Sequence, residues 1–173
     1  AGDVSKFGVE IEYSEEPQPL GTMGPLNLID DLPDTFLAMN ADLLTDLNFQ
    51  GLWDDHISRG SIATVATYVK TTRLGLGVLE TDSEERITGF SEKPTLRHKV
   101  SMGVYVFQKA ILDHIPQGVS FGFDQLMANL LAEGKVVGSH LFDGKWLDIG
   151  IPADYERALE EFEANRDRYL PVG

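Results

Sequence analysis

The chain contains no cysteine, which excludes disulfide bonds and thiolate metal sites. A protein without cysteine suits a reducing compartment, and we expect a cytoplasmic location. Long apolar runs are also missing, since none approaches the ~20 residues of a membrane-spanning helix. No basic segment followed by an apolar one lies near the start, so we expect neither a signal peptide nor a membrane partner.

Basic residues are scarce. The chain has 14 Lys and Arg against 28 Asp and Glu, a formal net charge of -14 at pH 7. Nucleic acid and anionic membranes bind basic surfaces, so we expect neither as a partner. A phosphorylated small molecule is still possible, because it needs only a local cation or a metal ion. The length of 173 residues predicts a single domain that spans 1–173.

Apolar residues recur at every second position in some segments and at helical spacing in others. This periodicity predicts strands over 7–13, 35–40, 62–69, 102–107 and 135–142, and a hairpin of 76–80 with 86–90. It predicts helices over 24–32, 48–59, 109–115, 122–132 and 152–170. Strands that alternate with helices favour an α/β layered fold with a mostly parallel mixed sheet.

Two acidic residues follow or end apolar strands. Asp42 ends the apolar segment 36–42, and Asp148 lies between apolar residues and precedes Gly150. In open α/β sheets, ligands bind beyond the carboxyl ends of strands. Two carboxylates that share Mg²⁺ with water and phosphate are typical of phosphoryl-transfer sites. Separately, each acid is equally explained as a cap or as a partner of local backbone.

A glycine-rich loop precedes the helix predicted at residue 24. Gly21, Thr22 and Gly24, after Leu20, would let backbone amides approach a flat or anionic ligand. A simple turn with a helix cap is the alternative interpretation.

The segment Glu92-Lys93-Pro94 follows the predicted hairpin. Pro94 favours an extended Lys93, which could reach a phosphate as a point charge, while Glu92 could accept sugar hydroxyls. The alternative is an exposed polar turn.

Gly103 lies within the predicted strand 102–107, after Ser101. A glycine inside a strand indicates close approach of backbone or ligand. Packing against a neighbouring strand is the alternative. The four histidines show no metal-like spacing, and we assign them no role.

In this order and spacing, five segments resemble those of the sugar-1-phosphate nucleotidyltransferases, with the mannose-1-phosphate guanylyltransferases as the nearest type. The resemblance covers nearly the whole chain and implies a Rossmann-like layered fold. The segments are 16–24 (base-pocket loop), 40–42 (Asn/Gly-x-Asp metal motif), 92–94 (sugar-phosphate motif), 102–105 (sugar-pocket strand) and 146–150 (second metal motif).

The resemblance implies transfer of a nucleotidyl group from a nucleoside triphosphate to a sugar 1-phosphate, with release of pyrophosphate. Asp42 and Asp148 would hold Mg²⁺, and Lys93 would bind the sugar phosphate. Glu92 and the backbone near Gly103 would orient sugar hydroxyls. Asn40 and Ser101 belong to the substrate-binding motifs, and the loop from Leu20 to Gly24 would hold the base.

Two departures from the family pattern affect this expectation. Ser101 stands where the family usually has asparagine, and serine is shorter. The chain also lacks the family's Gly-x-Gly-Thr-Arg loop and Pro-Lys-Pro motif, so relative to the family it is truncated at the N-terminus. We therefore expect the chain alone to be a poor catalyst. The alternatives are an inactive relative that binds sugar phosphate or nucleotide sugar, and an oligomeric scaffold.

The same departure predicts an exposed sheet edge. Without the family's first strands, strand 35–40 would lose a neighbour, and an exposed apolar edge favours pairing with another chain. We therefore expect a homo-oligomer or, alternatively, an altered order of strands in the sheet.

Overall fold

Strands of very different length and four α-helices make up the computed structural model, which describes residues 8–170. The strands are β1 (Thr35–Met39), β2 (Leu43–Thr45), β3 (Ala63–Arg73), β4 (Val78–Thr81), β5 (Ile87–Ser91), β6 (Thr95–Gln108), β7 (Val137–Phe142) and β8 (Trp146–Asp148). The helices are α1 (Phe49–Arg59), α2 (Phe123–Ala132), α3 (Pro152–Ala164) and α4 (Arg166–Tyr169), with 3-10 helices at Gly24–Leu28 and Lys109–His114. None of the helices in this part of the chain is long and apolar enough to cross a membrane.

The main sheet has the strand order β1-β6-β3-β7. β6 pairs antiparallel with both β1 and β3, whereas β3 and β7 are parallel. The α/β class and the mixed sheet are therefore confirmed, but the expected predominance of parallel pairs is not found among the described strands. The chain returns from β3 to β6 through the β4–β5 hairpin, without a helical crossover, and a parallel pair needs such a crossover.

The second half of β6, residues 102–107, is buried on both faces, as its continuous apolar run predicts, whereas residues 95–101 are mostly exposed. Tyr105 and Phe107 belong to one core cluster, which includes Leu126 of α2. Val104 and Val106 belong to the other, which includes Leu52 of α1. This alternation follows from the pleat, which directs successive side chains to opposite faces of the sheet. The two layers of helices thus hold β6 in the middle of the fold.

The ends of helix α1 lie where capping residues in the sequence predict them, whereas the last predicted helix ends earlier than expected. α1 begins after Asn48, whose side chain accepts a hydrogen bond from the Gly51 N–H, and ends at Gly60 in the left-handed conformation (φ 59°). Both ends were predicted. The helix predicted over 152–170 instead breaks at Asn165, whose N–H donates to carbonyls of the preceding turn.

Other predicted elements are shorter or absent. The segments expected as helices over 24–32 and 109–115 are 3-10 helices. Residues 8–13 form no strand, and Phe7 lies outside the described residues. Val9, Ile11 and Tyr13 are exposed, so their alternating pattern finds no sheet to pair with in this part of the chain.

Candidate functional site

A glycine in the left-handed conformation joins two of the predicted segments. Gly103 has φ +75° in β6, and a Cβ atom there would lie 2.8 Å from Asn40 Nδ2. The Asn40 N–H also donates to the Gly103 carbonyl at 2.9 Å. The close approach predicted at Gly103 is therefore made by Asn40, from the segment that follows β1. The register of β3 and β6 shifts between Val65 and Thr67, beside this glycine.

A third predicted segment reaches the same place through Trp146. Its indole N–H donates to the Met102 carbonyl at 3.1 Å. The Trp146 ring also lies 5.5 Å from the Tyr68 ring, measured between centroids. The segments 40–42, 101–105 and 146–150 therefore meet on one side of the main sheet.

The two predicted metal ligands lie at adjoining ends of a short ribbon. Leu43 pairs with Asp148 in the antiparallel β2–β8 ladder, and the Ile149 N–H donates to the Asp42 carbonyl at 2.8 Å. Strand spacing and rise then separate the Cα atoms of Asp42 and Asp148 by about 6 Å. Leu43 rather than Asp42 lies opposite Asp148, so an ideal pleat would direct the two carboxylates to opposite faces of the ribbon. Both residues are exposed, so neither carboxylate loses the solvation free energy that burial among apolar residues would cost.

The number and type of these side chains, though not yet their direction, fit a magnesium ion that takes most of its ligands from outside the protein. Residues 8–170 contain no group of three or more His, Cys, Asp or Glu that could hold a metal ion. Mg²⁺ commonly takes only one or two carboxylates and keeps water and phosphate as its other ligands. Asp42 and Asp148 supply that number, and the convergence of their oxygens on one ion stays a prediction.

An open cavity of about 480 Å³ extends from Asp148 across β3. Its lining comprises Tyr68, Lys70, Trp146, Leu147, Asp148, Gly150, Ile151, Asp154 and Arg157. Lys70 and Arg157 are cations that sequence reasoning missed. The only sequence signal for Lys70 is its position two residues after Tyr68 on a strand, which gives the two side chains one face.

The Leu20–Gly24 loop packs against the backbone that precedes α2. Gly21 has φ +75°, and a Cβ atom there would lie 2.7 Å from the Phe121 carbonyl oxygen. The Phe121 N–H donates to the Leu20 carbonyl at 2.9 Å, and the Phe123 N–H donates to Thr22 Oγ1 at 3.0 Å. The glycine and the threonine thus make tertiary contacts, and Thr22 does not cap the 3-10 helix that follows it.

Thr22 nevertheless shares a cavity with Asn40. The cavity has a volume of about 260 Å³ and is mostly apolar. Its lining comprises Thr22, Met23, Leu26, Ile29, Leu32, Phe36, Leu37, Ala38, Met39, Asn40 and Tyr105. The structure thus places the predicted base-pocket loop beside the first predicted metal motif.

Ser101 contacts the backbone and the aromatic side chain that follow it. The Gly103 N–H donates to Ser101 Oγ at 3.3 Å, and the Ser101 hydroxyl donates to the Tyr105 hydroxyl, also at 3.3 Å. Burial raises the pKa of Tyr105, with the Ser101 hydrogen bond acting in the opposite direction. Serine therefore stabilises the turn of the backbone at Gly103.

Lys93 is not brought to this region. Its φ is +44°, in the left-handed region, so the expected extended conformation is wrong. The turn is held by the Leu74 N–H, which donates to the Pro94 carbonyl at 3.0 Å, and this tertiary contact overrides the local effect of proline. Thr95 and Ser101 lie six residues apart in β6, about 20 Å along the strand, so Lys93 lies at the far end of the β3–β6 ribbon.

Comparison with known proteins identifies relatives of this fold and of these segments. Residues 1–165 match the family model described as Nucleotidyl transferase. The chain is 34% identical over 165 residues to a mannose-1-phosphate guanylyltransferase of Mycobacterium tuberculosis, covering 90% of this chain and 45% of that protein. It is 30% identical over 177 residues to a UTP–glucose-1-phosphate uridylyltransferase of Synechocystis sp., covering 91% and 46%. The chain thus spans about half the length of the curated relatives it matches.

Solved structures show the same fold. The crystal structure of HddC from Yersinia pseudotuberculosis superposes with a TM-score of 0.57 at 23% identity, covering 85% of this chain and 64% of that one. A second crystal structure of HddC, complexed with GMP-PN, superposes with the same TM-score at 22% identity.

Proposed function

Since the chain belongs to the nucleotidyl transferase family, through a match that extends over residues 1–165, we propose that it forms the sugar-phosphate and metal side of a nucleotidyltransferase site. The reaction is the transfer of a nucleotidyl group from a nucleoside triphosphate to a sugar 1-phosphate. A phosphate oxygen of the sugar 1-phosphate attacks the α-phosphorus, a new P–O bond forms, and the bond to the β-phosphate breaks. Pyrophosphate leaves, and the product is a nucleotide sugar.

One observation supports this proposal most strongly. Asn40 and Trp146, which are far apart in sequence, both bond to the start of the buried part of β6: the Asn40 N–H donates to the Gly103 carbonyl, and the Trp146 indole N–H donates to the Met102 carbonyl. Their meeting brings the strand ends that carry Asp42 and Asp148 to one place.

Residues of this chain would have three roles in the reaction. Asp42 and Asp148 would hold a magnesium ion, which supplies charge neutralisation at the reacting phosphates when bound. The backbone around Gly103 would orient sugar hydroxyls. Thr22 and Asn40 line the mostly apolar cavity, which would receive the flat base. The contribution of the protein is positioning and electrostatics, with no covalent intermediate.

Mannose 1-phosphate and GTP are the first substrate pair to test, because several relatives carry the name mannose-1-phosphate guanylyltransferase. Glucose 1-phosphate and UTP are the second pair, because another relative is a UTP–glucose-1-phosphate uridylyltransferase. Release of pyrophosphate from either pair would demonstrate transfer. Calorimetric titration of the chain with each sugar 1-phosphate and nucleotide sugar would measure binding separately from turnover.

The metal-site test is Asp148→Asn, with binding measured in Mg²⁺ and in EDTA. We expect the variant to lose the Mg²⁺-dependent part of nucleotide-sugar affinity, because an amide is a much weaker ligand for a hard cation. Asp143→Asn is the matched control, since it removes the same charge from an exposed residue near β8. Unchanged Mg²⁺ dependence in Asp148→Asn would refute the metal site. No binding and no pyrophosphate release with any of these compounds would refute the function.

A further inference from the structure

We propose that helix α1 is an acid-sensitive element of the fold, in which a proton taken up by His56 releases the helix from the sheet and loosens the core beneath the candidate site. The proposal goes beyond the nucleotidyltransferase reaction and does not depend on it. It rests on the burial and hydrogen bonding of one imidazole ring, on the packing around that ring, and on the contacts that join α1 to the candidate site.

His56 is a fully buried histidine of α1, with 0% of its surface exposed. Its Nδ1 lies 2.9 Å from Thr64 Oγ1 of β3, while its Nε2 has no hydrogen-bond partner within residues 8–170. A neutral imidazole tolerates this arrangement, because it has one N–H, which the Thr64 hydroxyl can accept, and one lone pair. A protonated imidazole has a charge and two N–H groups, so the second N–H would be buried without an acceptor.

The residues of the sheet at the level of this ring are uncharged. Thr64 pairs with Val106 of β6 and with Gly138 of β7. A Cβ atom at Gly138 would lie 2.8 Å from Thr64 Oγ1 and 3.1 Å from Ser61 Oγ, so the groups here are closely packed. The described strands therefore offer the ring no counter-charge at this level and little space in which to reorient. Movement of the helix is the change that returns a charged His56 to water.

The charged neighbours of His56 lie at the outer side of α1. Asp54 is exposed, and Asp55 Oδ2 lies 2.8 Å from His140 Nδ1 of β7 and 3.2 Å from Arg59. These two partners hold the pKa of Asp55 below its usual value, with the His140 hydrogen bond as the larger effect. When His140 is protonated, its contact with Asp55 becomes an ion pair that opposes release of the helix. This pair is partly exposed and contributes little, whereas an unpaired buried charge is costly.

The direction of the pH dependence follows from a comparison of the packed and the released helix. In the released helix the imidazole is solvated, and its pKa is ~6.5. Burial lowers the pKa of His56 in the packed helix. The released state therefore binds more protons than the packed state below pH ~6.5. The stability of the packed helix is complete above that pH and decreases as the pH falls.

Helix α1 reaches the candidate site through the second core cluster. Leu47, just before the helix, and Leu52, in its first turn, are buried with Met102 and Val104 of β6. Trp146 packs against the same cluster and donates its indole N–H to the Met102 carbonyl. Release of α1 exposes this cluster to water, so the contact between β8 and β6 weakens at the same time.

The test follows hydrogen exchange of the α1 amides by NMR in the full chain at pH 7.5 and 5.5, corrected for the intrinsic pH dependence of exchange. Between these pH values, we expect protection of α1 to fall about tenfold more in the unsubstituted chain than in His56→Gln, because only the released imidazole gains a proton. Glutamine can still bond to Thr64 and stays uncharged at both pH values. His98→Gln removes an exposed histidine of β6 and should keep the full pH dependence. His140→Gln removes the opposing ion pair and should increase it.

Two results would overturn the proposal directly: α1 protection that does not change with pH, or the same pH dependence in the unsubstituted chain and in His56→Gln. If His56→Gln does not fold, the imidazole nitrogen signals of the unsubstituted chain decide. We expect a protonated His56 ring only in molecules whose α1 amides exchange freely, and a protonated ring beneath a protected helix would refute the proposal. The Trp146 indole N–H should exchange faster at pH 5.5 together with α1, since its acceptor belongs to the shared cluster.

Discussion

Gly103 has an unusual backbone conformation and lies against Asn40, another residue of the candidate site. Its φ of +75° is one that side chains with a Cβ rarely adopt. The same residue receives the Asn40 side chain where a Cβ atom would stand. Two separate demands, conformation and space, therefore require glycine here.

Gly103→Ala separates those demands when it is compared with Gly134→Ala. Gly134 has φ +69° with nothing within 4 Å of its added Cβ, so alanine there should cost only the conformational strain, about 1 kcal/mol. Gly103→Ala should cost about 2 kcal/mol or more, because it adds the clash with Asn40. Urea denaturation measures both free energies of unfolding. Equal losses of unfolding free energy in the two variants would show that the Asn40 side chain moves aside without a measurable cost.

At the scale of elements, the short β2–β8 ribbon depends on contacts beyond its own three residue pairs. Asp46 accepts a hydrogen bond from the Lys145 N–H at 2.7 Å and pairs with Arg168 of α4. Burial acts to raise the pKa of Asp46, but these two partners hold it below its usual value. The lowered pKa means that Asp46 stabilises the fold in its charged form. The C-terminal helix is thus tied to the ribbon that carries Asp148.

Asp46→Ala should loosen this ribbon. Leu44 pairs with Leu147, and their amides should exchange about tenfold faster with solvent in the variant, which corresponds to loss of about 1.4 kcal/mol of local stability. Asp143→Ala, which removes an exposed acid near β8, should leave these amides unchanged. Hydrogen exchange followed by NMR measures both variants. Unaltered protection in Asp46→Ala would show that the ribbon does not depend on α4.

For the whole molecule, β1 is an edge strand whose only described partner is β6. The pairing of Asn40 with Gly103 directs the N–H groups of Leu37 and Met39 away from β6, because these groups alternate along a strand. Met39 and nearby Ile29 are exposed. This edge supports the prediction of self-association, while the net charge of -14 opposes it.

We therefore expect association to increase with salt, as screening reduces the repulsion. Met39→Lys should suppress association, because a charge on an edge strand blocks pairing. Leu131→Lys, at an exposed position of α2, adds the same charge away from the edge and should have little effect. Light scattering over a range of protein and salt concentrations measures the mass. A monomer at high concentration and high salt would contradict the prediction.

The amino-acid sequence by itself determined the features that depend on nearby residues. The apolar run of β6 that is buried on both faces and the ends of α1 at Asn48 and Gly60 follow from side-chain period and capping. Periodicity and capping involve residues only a few positions apart, so they can be recognised in the sequence itself.

Tertiary structure alone decided which distant segments meet. A buried strand has the same apolar pattern whether its neighbouring strands are parallel or antiparallel. The sequence therefore does not predict that β6 lies between β1 and β3. Lys93 lies at the far end of the β3–β6 ribbon because strand register sets the distance between distant residues. Register depends on contacts summed over the whole sheet, and a short motif does not contain them.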